Sequence, residues 1–145
     1  MSYSNSRNAV SHYSQVNTYS AVSGADPHRL VLMLMDGALG KIATARGGME
    51  RRDIAAKGEA IGQAISIIDG LRTSLDLEAG GEIAQNLDSL YDYMERRLTE
   101  ANIHNDVSML EEVAGLLNEI RAGWQAIPQE VRNGSQEPRR ASAGG

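Results

Sequence analysis

The sequence contains no cysteine and no phenylalanine, and its 145 residues include one tryptophan and three prolines. Without cysteine the chain can form no disulfide, no thiolate metal site and no cysteine nucleophile, which fits a reducing compartment. A core must therefore be built from Leu, Ile, Val, Ala and Met. Because β-branched residues seldom alternate with polar ones here, this composition favours helices over sheets.

Long apolar runs are also missing. The longest, from Leu30 to Met35, has six residues, whereas a membrane-spanning helix needs about 20. The first eight residues are polar and lack the apolar stretch of a signal peptide. We therefore expect a cytoplasmic protein without membrane insertion.

Basic residues are scarce in one long stretch of the chain. Between Asp76 and Glu119 there are eleven acidic residues and two arginines, a local net charge of −9 in a chain whose total is −5. Nucleic-acid binding requires a basic face, so we expect no nucleic-acid partner. The acidic stretch is either a solvated helix exterior or a docking surface for a basic partner.

Patterns of catalytic and metal-binding residues are absent as well. The three histidines, His12, His28 and His104, lie far apart, and no Glu-x-x-His pair, phosphate-binding loop or nucleophile elbow occurs. A phosphotransfer bundle needs an exposed histidine in the middle of a helix, and none of the three is placed there. We expect no enzyme, no cofactor and no metal.

What the sequence does contain is a series of apolar stripes with helical spacing. We predict four helices, over residues 27–47, 53–76, 82–104 and 106–127. Asp26, Asp53 and Asp106 are expected N-caps, because a carboxylate there accepts from the free backbone N–H groups of the first turn. The pair Gly47-Gly48 is expected to loosen the end of the first helix, and Gly80-Gly81 to form the turn before the third.

The predicted fold class is all-α, an antiparallel up-down four-helix bundle over residues 25–128, because short loops make sequence neighbours antiparallel. Residues 1–24 are interpreted as a short helical segment that caps the bundle. Residues 129–145, which mix Pro, Gly, Ser and Arg, are interpreted as a disordered tail. Ile54, Ile83 and Trp124 are expected to lie on the apolar stripes of their helices.

Several short motifs appear in an order that carries a family resemblance. They are Tyr13-Ser14-Gln15-Val16, Asp26-Pro27-His28-Arg29-Leu30, Leu34-Met35-Asp36-Gly37-Ala38, Lys57-Gly58-Glu59-Ala60, Ile67-Ile68-Asp69, Ser74-Leu75-Asp76, Gly80-Gly81-Glu82-Ile83-Ala84, Leu90-Tyr91-Asp92-Tyr93-Met94, Arg96-Arg97-Leu98, Glu100-Ala101-Asn102, Glu111-Glu112-Val113 and Trp124. Together, over residues 10–127, they closely resemble the flagellin export chaperone family, the FliS chaperones of bacteria.

The resemblance implies a cytoplasmic helical bundle that binds the disordered C-terminal segment of flagellin and prevents its premature polymerisation. It implies delivery of that client to the flagellar type III export gate, and it allows an anti-sigma factor or a co-chaperone as a further partner. It also implies that an N-terminal segment near Tyr13 covers a groove when the client is absent. The residues expected to line the client groove are Val10, Tyr13, Val16, Leu30, Leu34, Met35, Ala38, Ile42, Tyr91, Met94 and Leu98.

One alternative function stays open beside this one, because a third, an enzyme or phosphorelay bundle, lacks the residues that it requires. The chain could be a structural bundle that seals its extra apolar surface with a second copy of itself and has no client. The methionines Met33, Met35, Met94 and Met109 either fill gaps in a core or provide an adaptable helix-binding surface. Measuring the solution mass with and without a flagellin peptide separates a chaperone from a self-associating bundle.

Overall fold

A computed structural model describes residues 26–127, which form four α-helices joined by short connections. These are α1 (Pro27–Arg51), α2 (Ile54–Thr73), α3 (Leu77–His104) and α4 (Val107–Gln125). Each helix packs against its neighbours in sequence, and α1 also packs against α4, which closes the ring. The predicted all-α bundle is confirmed, and no strand occurs among the residues described.

An aspartate caps the start of every helix in this part of the chain. Asp26 accepts a hydrogen bond from the backbone N–H of Arg29 at 2.8 Å, and Asp53 does the same for Ala56 at 3.1 Å. The other two caps are Asp76, at the start of α3, and Asp106, at the start of α4. Each cap stabilises its helix by about 1 kcal/mol. The caps Asp26, Asp53 and Asp106 were expected from the sequence, whereas Asp76 was not.

The first glycine pair does not end a helix, contrary to the prediction. α1 continues through Gly47 and Gly48 to Arg51, and Arg52 ends it in the left-handed conformation with φ 59°. A Cβ on Gly48 would lie 2.9 Å from the backbone nitrogen of Lys57. The glycine is therefore explained by the close approach of α1 to α2, and the helix end is set four residues later.

The second glycine pair interrupts the helix where a turn was predicted, but a helical turn also precedes it. α3 begins at Leu77, before Gly80 and Gly81, and a kink lies at Gly81, whose φ of 56° and ψ of −134° are not helical. Such a conformation is accessible to glycine and strained for other residues. The pair thus bends the first turn of α3 relative to the rest of the helix.

The apolar core runs along the bundle axis. Its largest fully buried side chains are Met35, Ile68, Leu71, Met94, Leu98, Leu110, Leu117 and Val113. Two predicted stripe residues are exposed instead: Ile54 at 75% and Ile83 at 73%. Ile54 is the first residue of α2, and Ile83 follows the kink in α3, so both lie near helix ends where neighbouring helices give little cover.

Two of the three predicted domains fall outside the described residues. The N-terminal segment, residues 1–24, and the tail, residues 129–145, are not part of residues 26–127. None of the helices described here combines the length and the apolar character that crossing a membrane requires.

Candidate binding groove between the first and last helices

Eight of the predicted groove residues lie in the described part of the chain, and all eight are interior. Their side chains are between 0% and 4% exposed. They are Leu30, Leu34, Met35, Ala38, Ile42, Tyr91, Met94 and Leu98. All except Leu30 belong to one core cluster, which α2 and α4 also join. The structure therefore brings them together as packed core; Val10, Tyr13 and Val16 lie outside the described residues.

An open groove lies beside this core, between α1 and α4. Its volume is about 330 Å³, and its lining residues are Leu39, Ile42, Ala43 and Arg46 of α1, and Leu110, Glu111, Ala114 and Asn118 of α4. Ile42 is the one predicted groove residue among them. The α1 residues recur at steps of three and four, which places them on one face of the helix.

Small side chains on both helices account for the depression. Ala43 of α1 is exposed and Ala114 of α4 is half-buried, and both line the groove. The apolar floor comes from Ile42 and Leu110, which are buried. Sequence reasoning did not identify Leu39, Ala43 and Ala114 as groove residues. The groove forms where short side chains of two helices that are far apart in sequence come together, and the periodicity of one helix does not show which helix packs beside it.

Ion pairs cross the interface between α1 and α4, called here the α1–α4 seam, on both sides of the groove. Arg46 Nη1 lies 2.9 Å from Glu111 Oε2, and each side chain is about half exposed. About three turns earlier in α1, Asp36 accepts hydrogen bonds from Arg121 of α4 at both carboxylate oxygens, at 2.6 and 3.2 Å. That carboxylate raises the pKa of the Arg121 guanidinium. Exposed pairs of this kind stabilise by about 0–1 kcal/mol, so they close the seam weakly.

A reciprocal contact fastens the seam beyond the second ion pair. Trp124 Nε1–H donates to the carbonyl oxygen of His28 at 2.9 Å, and His28 Nε2–H donates to the carbonyl oxygen of Trp124 at 2.6 Å. The two rings also stack, with centroids 5.2 Å apart and planes 10° from parallel. The contact joins residues 96 apart in sequence, so no local pattern could have predicted it.

At the interface between α3 and α4, part of the acidic stretch between Asp76 and Glu119 makes hydrogen bonds within the bundle. Arg97 donates to Glu112 at 2.9 Å and to Glu100 at 3.1 Å. The Tyr93 hydroxyl also donates to Glu112, and this bond, followed by that from Arg97, lowers the pKa of the carboxyl. Several residues of the acidic stretch therefore serve the bundle's own contacts.

The groove offers shape and apolar surface, with charges at its edges. Within residues 26–127, no three His, Asp or Glu side chains are grouped as a metal ion would require. Burial raises the pKa of the Tyr91 hydroxyl to about 12, so this interior phenol stays neutral at ordinary pH. An apolar groove with a few edge charges can hold an amphipathic helix.

Comparison with known proteins places the chain in a family. The family model described as flagellar protein FliS matches residues 9–131. The flagellar secretion chaperone FliSB of Pseudomonas aeruginosa is 55% identical over 119 residues, which are 82% of this chain and 94% of the relative. The flagellar secretion chaperone FliS of Salmonella typhimurium is 53% identical over 116 residues, covering 79% and 86%.

A more distant relative matches over nearly the same length. The flagellar secretion chaperone FliS of Bacillus subtilis is 38% identical over 115 residues, which cover 79% of this chain and 85% of the relative. The match to the family model includes all four helices. The chain belongs to the FliS family of flagellar proteins.

Proposed function

We propose that this chain is a cytoplasmic export chaperone that binds the C-terminal segment of flagellin. It keeps that segment from polymerising and delivers it to the flagellar type III export apparatus. The observation that carries the proposal is the open apolar groove between α1 and α4, in a chain whose relatives are named flagellar secretion chaperones.

The groove suits a client that folds as it binds. A disordered segment that becomes helical can lay its apolar face into a groove between two helices. The accessible apolar lining comes from Leu39, Ala43 and Ala114, above a buried floor of Ile42 and Leu110. The edge charges Arg46 and Glu111 keep the unoccupied groove hydrated and can exchange partners with charged client residues, because their mutual attraction is small at this exposure.

The interior residues expected in the groove enter the proposal differently. In the unbound bundle Met35, Met94 and Leu98 belong to one core cluster and are covered. They would reach a client only if α1 or α3 shifts away from its neighbours. We propose that the first client helix docks on the open groove, and that the interior residues form its supporting floor.

The N-terminal segment, residues 1–24, is part of the proposal as a reversible lid. Val10, Tyr13 and Val16 supply little apolar area, so burying them contributes only a few kcal/mol at about 25 cal/mol per Å². Ordering the segment costs about 1–2 kcal/mol for each backbone residue. Docked and released states should therefore lie close in free energy, and a client can displace the segment.

Filling the groove tests the proposal. Ala43→Phe adds a large ring to an exposed position of the groove lining, and Ala55→Phe adds the same ring to an exposed position at the start of α2. Calorimetric titration with the flagellin C-terminal segment should show at least about tenfold weaker binding for Ala43→Phe, a loss of about 1.4 kcal/mol. Ala55→Phe should bind as the parent does.

Three outcomes separate the parts of the proposal. Equal binding by the two variants would move the client site away from the α1–α4 groove and leave the chaperone function standing. No binding by the parent chain, together with filament growth at an undiminished rate in its presence, would refute the function itself. A doubled solution mass without client would favour the self-associating bundle.

A further inference from the structure

The interface between α3 and α4 changes character along its length. Near the middle of α3, Tyr93 and Arg97 both hydrogen-bond to Glu112 of α4. Steps of three and four residues lead from there to two apolar rows, back along α3 to Leu90, Leu87 and Ile83, and forward along α4 to Leu116, Ile120 and Gly123. Because the two helices run antiparallel and rise equally per residue, the two rows stay level with each other.

The rows lose their cover towards the start of α3. Leu87 and Ile120, which are level in this register, are half-buried and pack against the core. Ile83, one turn further, is 73% exposed. Gly123 is the residue of the α4 row at that level, and a Cβ on it would meet no atom within 4 Å. This end of the interface therefore has an unfilled apolar space, called here the α3–α4 notch and defined by Ile83, Leu87, Ile120 and Gly123.

Two acidic residues beside the notch have no ion-pair partner within the described bundle. Glu82 and Glu119 are exposed, and no arginine or lysine among residues 26–127 pairs with either. Glu82 directly precedes Ile83, and Glu119 directly precedes Ile120, so each carboxylate lies on the solvent side of the notch. Other acidic residues of the same stretch pair with arginines, namely Asp88, Asp92, Glu100, Glu111 and Glu112.

We propose that the α3–α4 notch is a docking surface for a basic amphipathic helix of a partner protein. The apolar face of that helix covers Ile83 and fills the space beside Gly123, and its lysine or arginine side chains pair with Glu82 and Glu119. Exposed apolar surface with a polar rim is typical of interaction sites, and the charges across an interface are complementary in sign. A second copy of this chain fits less well, because a symmetric pairing brings the same carboxylates together.

The notch lies on the opposite flank of α4 from the α1–α4 groove. Ala114 and Asn118 line the groove on the side of α1, whereas Leu116 and Ile120 belong to the row on the side of α3. One helix thus offers two separate faces. A client in the groove and a basic partner in the notch can therefore be bound at the same time.

A pair of synthetic peptides tests the charge preference. One is about 18 residues long, roughly five helical turns, with leucines on one face and lysines on both flanks; the other has glutamate in place of every lysine. Titrated into the full-length chain, the lysine peptide should shift the amide resonances of Ile83, Ile120 and Gly123. Its affinity should fall as salt is added, because exposed charges are screened. Equal binding of the glutamate peptide, or unchanged resonances at these three residues, would overturn the proposal.

Two exposed isoleucines of α3 provide matched variants. Ile83 is 73% exposed and Ile103, near the other end of the helix, is 70% exposed, so replacing either by serine leaves the core intact. Ile83→Ser should bind the lysine peptide at least about fivefold more weakly, because it loses apolar contact. Ile103→Ser should bind it as the parent does. Equal losses in the two variants would contradict a site at the notch.

The rim charges have their own matched variants. Glu119→Gln removes one proposed pair and should weaken binding of the lysine peptide about two- to threefold. Glu59→Gln, at an exposed position of α2, is the control and should leave the affinity unchanged. Equal effects of the two substitutions would show that only the net charge matters and would contradict pairing at the rim.

The flagellin C-terminal segment separates the notch from the α1–α4 groove. Ile83→Ser should bind that segment as tightly as the parent does. Weaker binding would assign the notch to the flagellin client and overturn a separate surface. A doubled solution mass of the parent that Ile83→Ser abolishes would assign the notch to a second copy of this chain, and would likewise overturn the proposal.

Discussion

Single residues hold the ends of this bundle together, and Lys57 is an example. It is 8% exposed, and its ammonium donates to the carbonyl oxygen of Asn102 and to the side chain of Asn105, both at 2.9 Å. A buried ammonium is tolerated only when its donors are used. Asn105 itself ends α3 in the left-handed conformation with φ 53°, so the lysine fixes the start of α2 against the end of α3.

Replacing this lysine tests that role. Lys57→Met keeps the apolar stem and removes two charge-assisted hydrogen bonds, so the free energy of unfolding should fall by about 1–3 kcal/mol. Urea unfolding followed by circular dichroism measures the change. Lys41→Met, at a half-buried site of α1, is the control and should change stability by less than about 0.5 kcal/mol.

Trp124 is a second residue whose role the structure revises. It was predicted as part of an apolar stripe, yet it is half-buried, and its indole N–H and ring both serve His28. Trp124→Phe retains the ring stacking and removes the hydrogen bond to the His28 carbonyl. We expect a loss of about 1 kcal/mol in unfolding free energy. A variant as stable as the parent would show that this hydrogen bond makes no net contribution to the free energy of unfolding.

Among the elements, α3 is distinguished by its bent first turn. Gly81→Ala forces an alanine into φ 56° and ψ −134°, which costs about 1–3 kcal/mol unless the turn rearranges. Gly115 is exposed in α4, and a Cβ there meets no atom within 4 Å. Gly115→Ala should therefore stabilise by about 0.4–1 kcal/mol. Opposite signs for these two glycine substitutions in thermal melting are the expected result; equal signs would mean that the kink is not required.

For the whole molecule, closure of the ring depends on contacts between the first and last helices. Asp26 already caps α1 within the bundle, and the His28–Trp124 contact completes the end of the seam. Deleting residues 1–25 should therefore leave helicity and cooperative melting intact, and client affinity should be equal or higher if the segment is a lid. Loss of cooperative melting in the deletion would identify the segment as core.

The sequence was sufficient for the elements that obey local rules. The helix starts at Asp26, Asp53 and Asp106 follow from a carboxylate within reach of free N–H groups three residues on, and the apolar stripes follow from the helical period. Ala38 and Leu98 follow these stripes, although both were expected to line the client groove and the structure packs them in the core. The family resemblance could also be recognised from the sequence, because it rests only on the order of short motifs.

Tertiary structure decided everything that depends on a second helix. Whether a glycine ends a helix, as expected at Gly48, or lets a neighbour approach, as observed there, is determined by where Lys57 lies. The groove exists because Ala43 of α1 and Ala114 of α4 line the same space, and the Arg72–Asp88 ion pair exists because of the register between α2 and α3. A sequence specifies each helix through contacts a few residues apart, whereas grooves and interfaces between helices arise only where packing joins residues far apart along the chain.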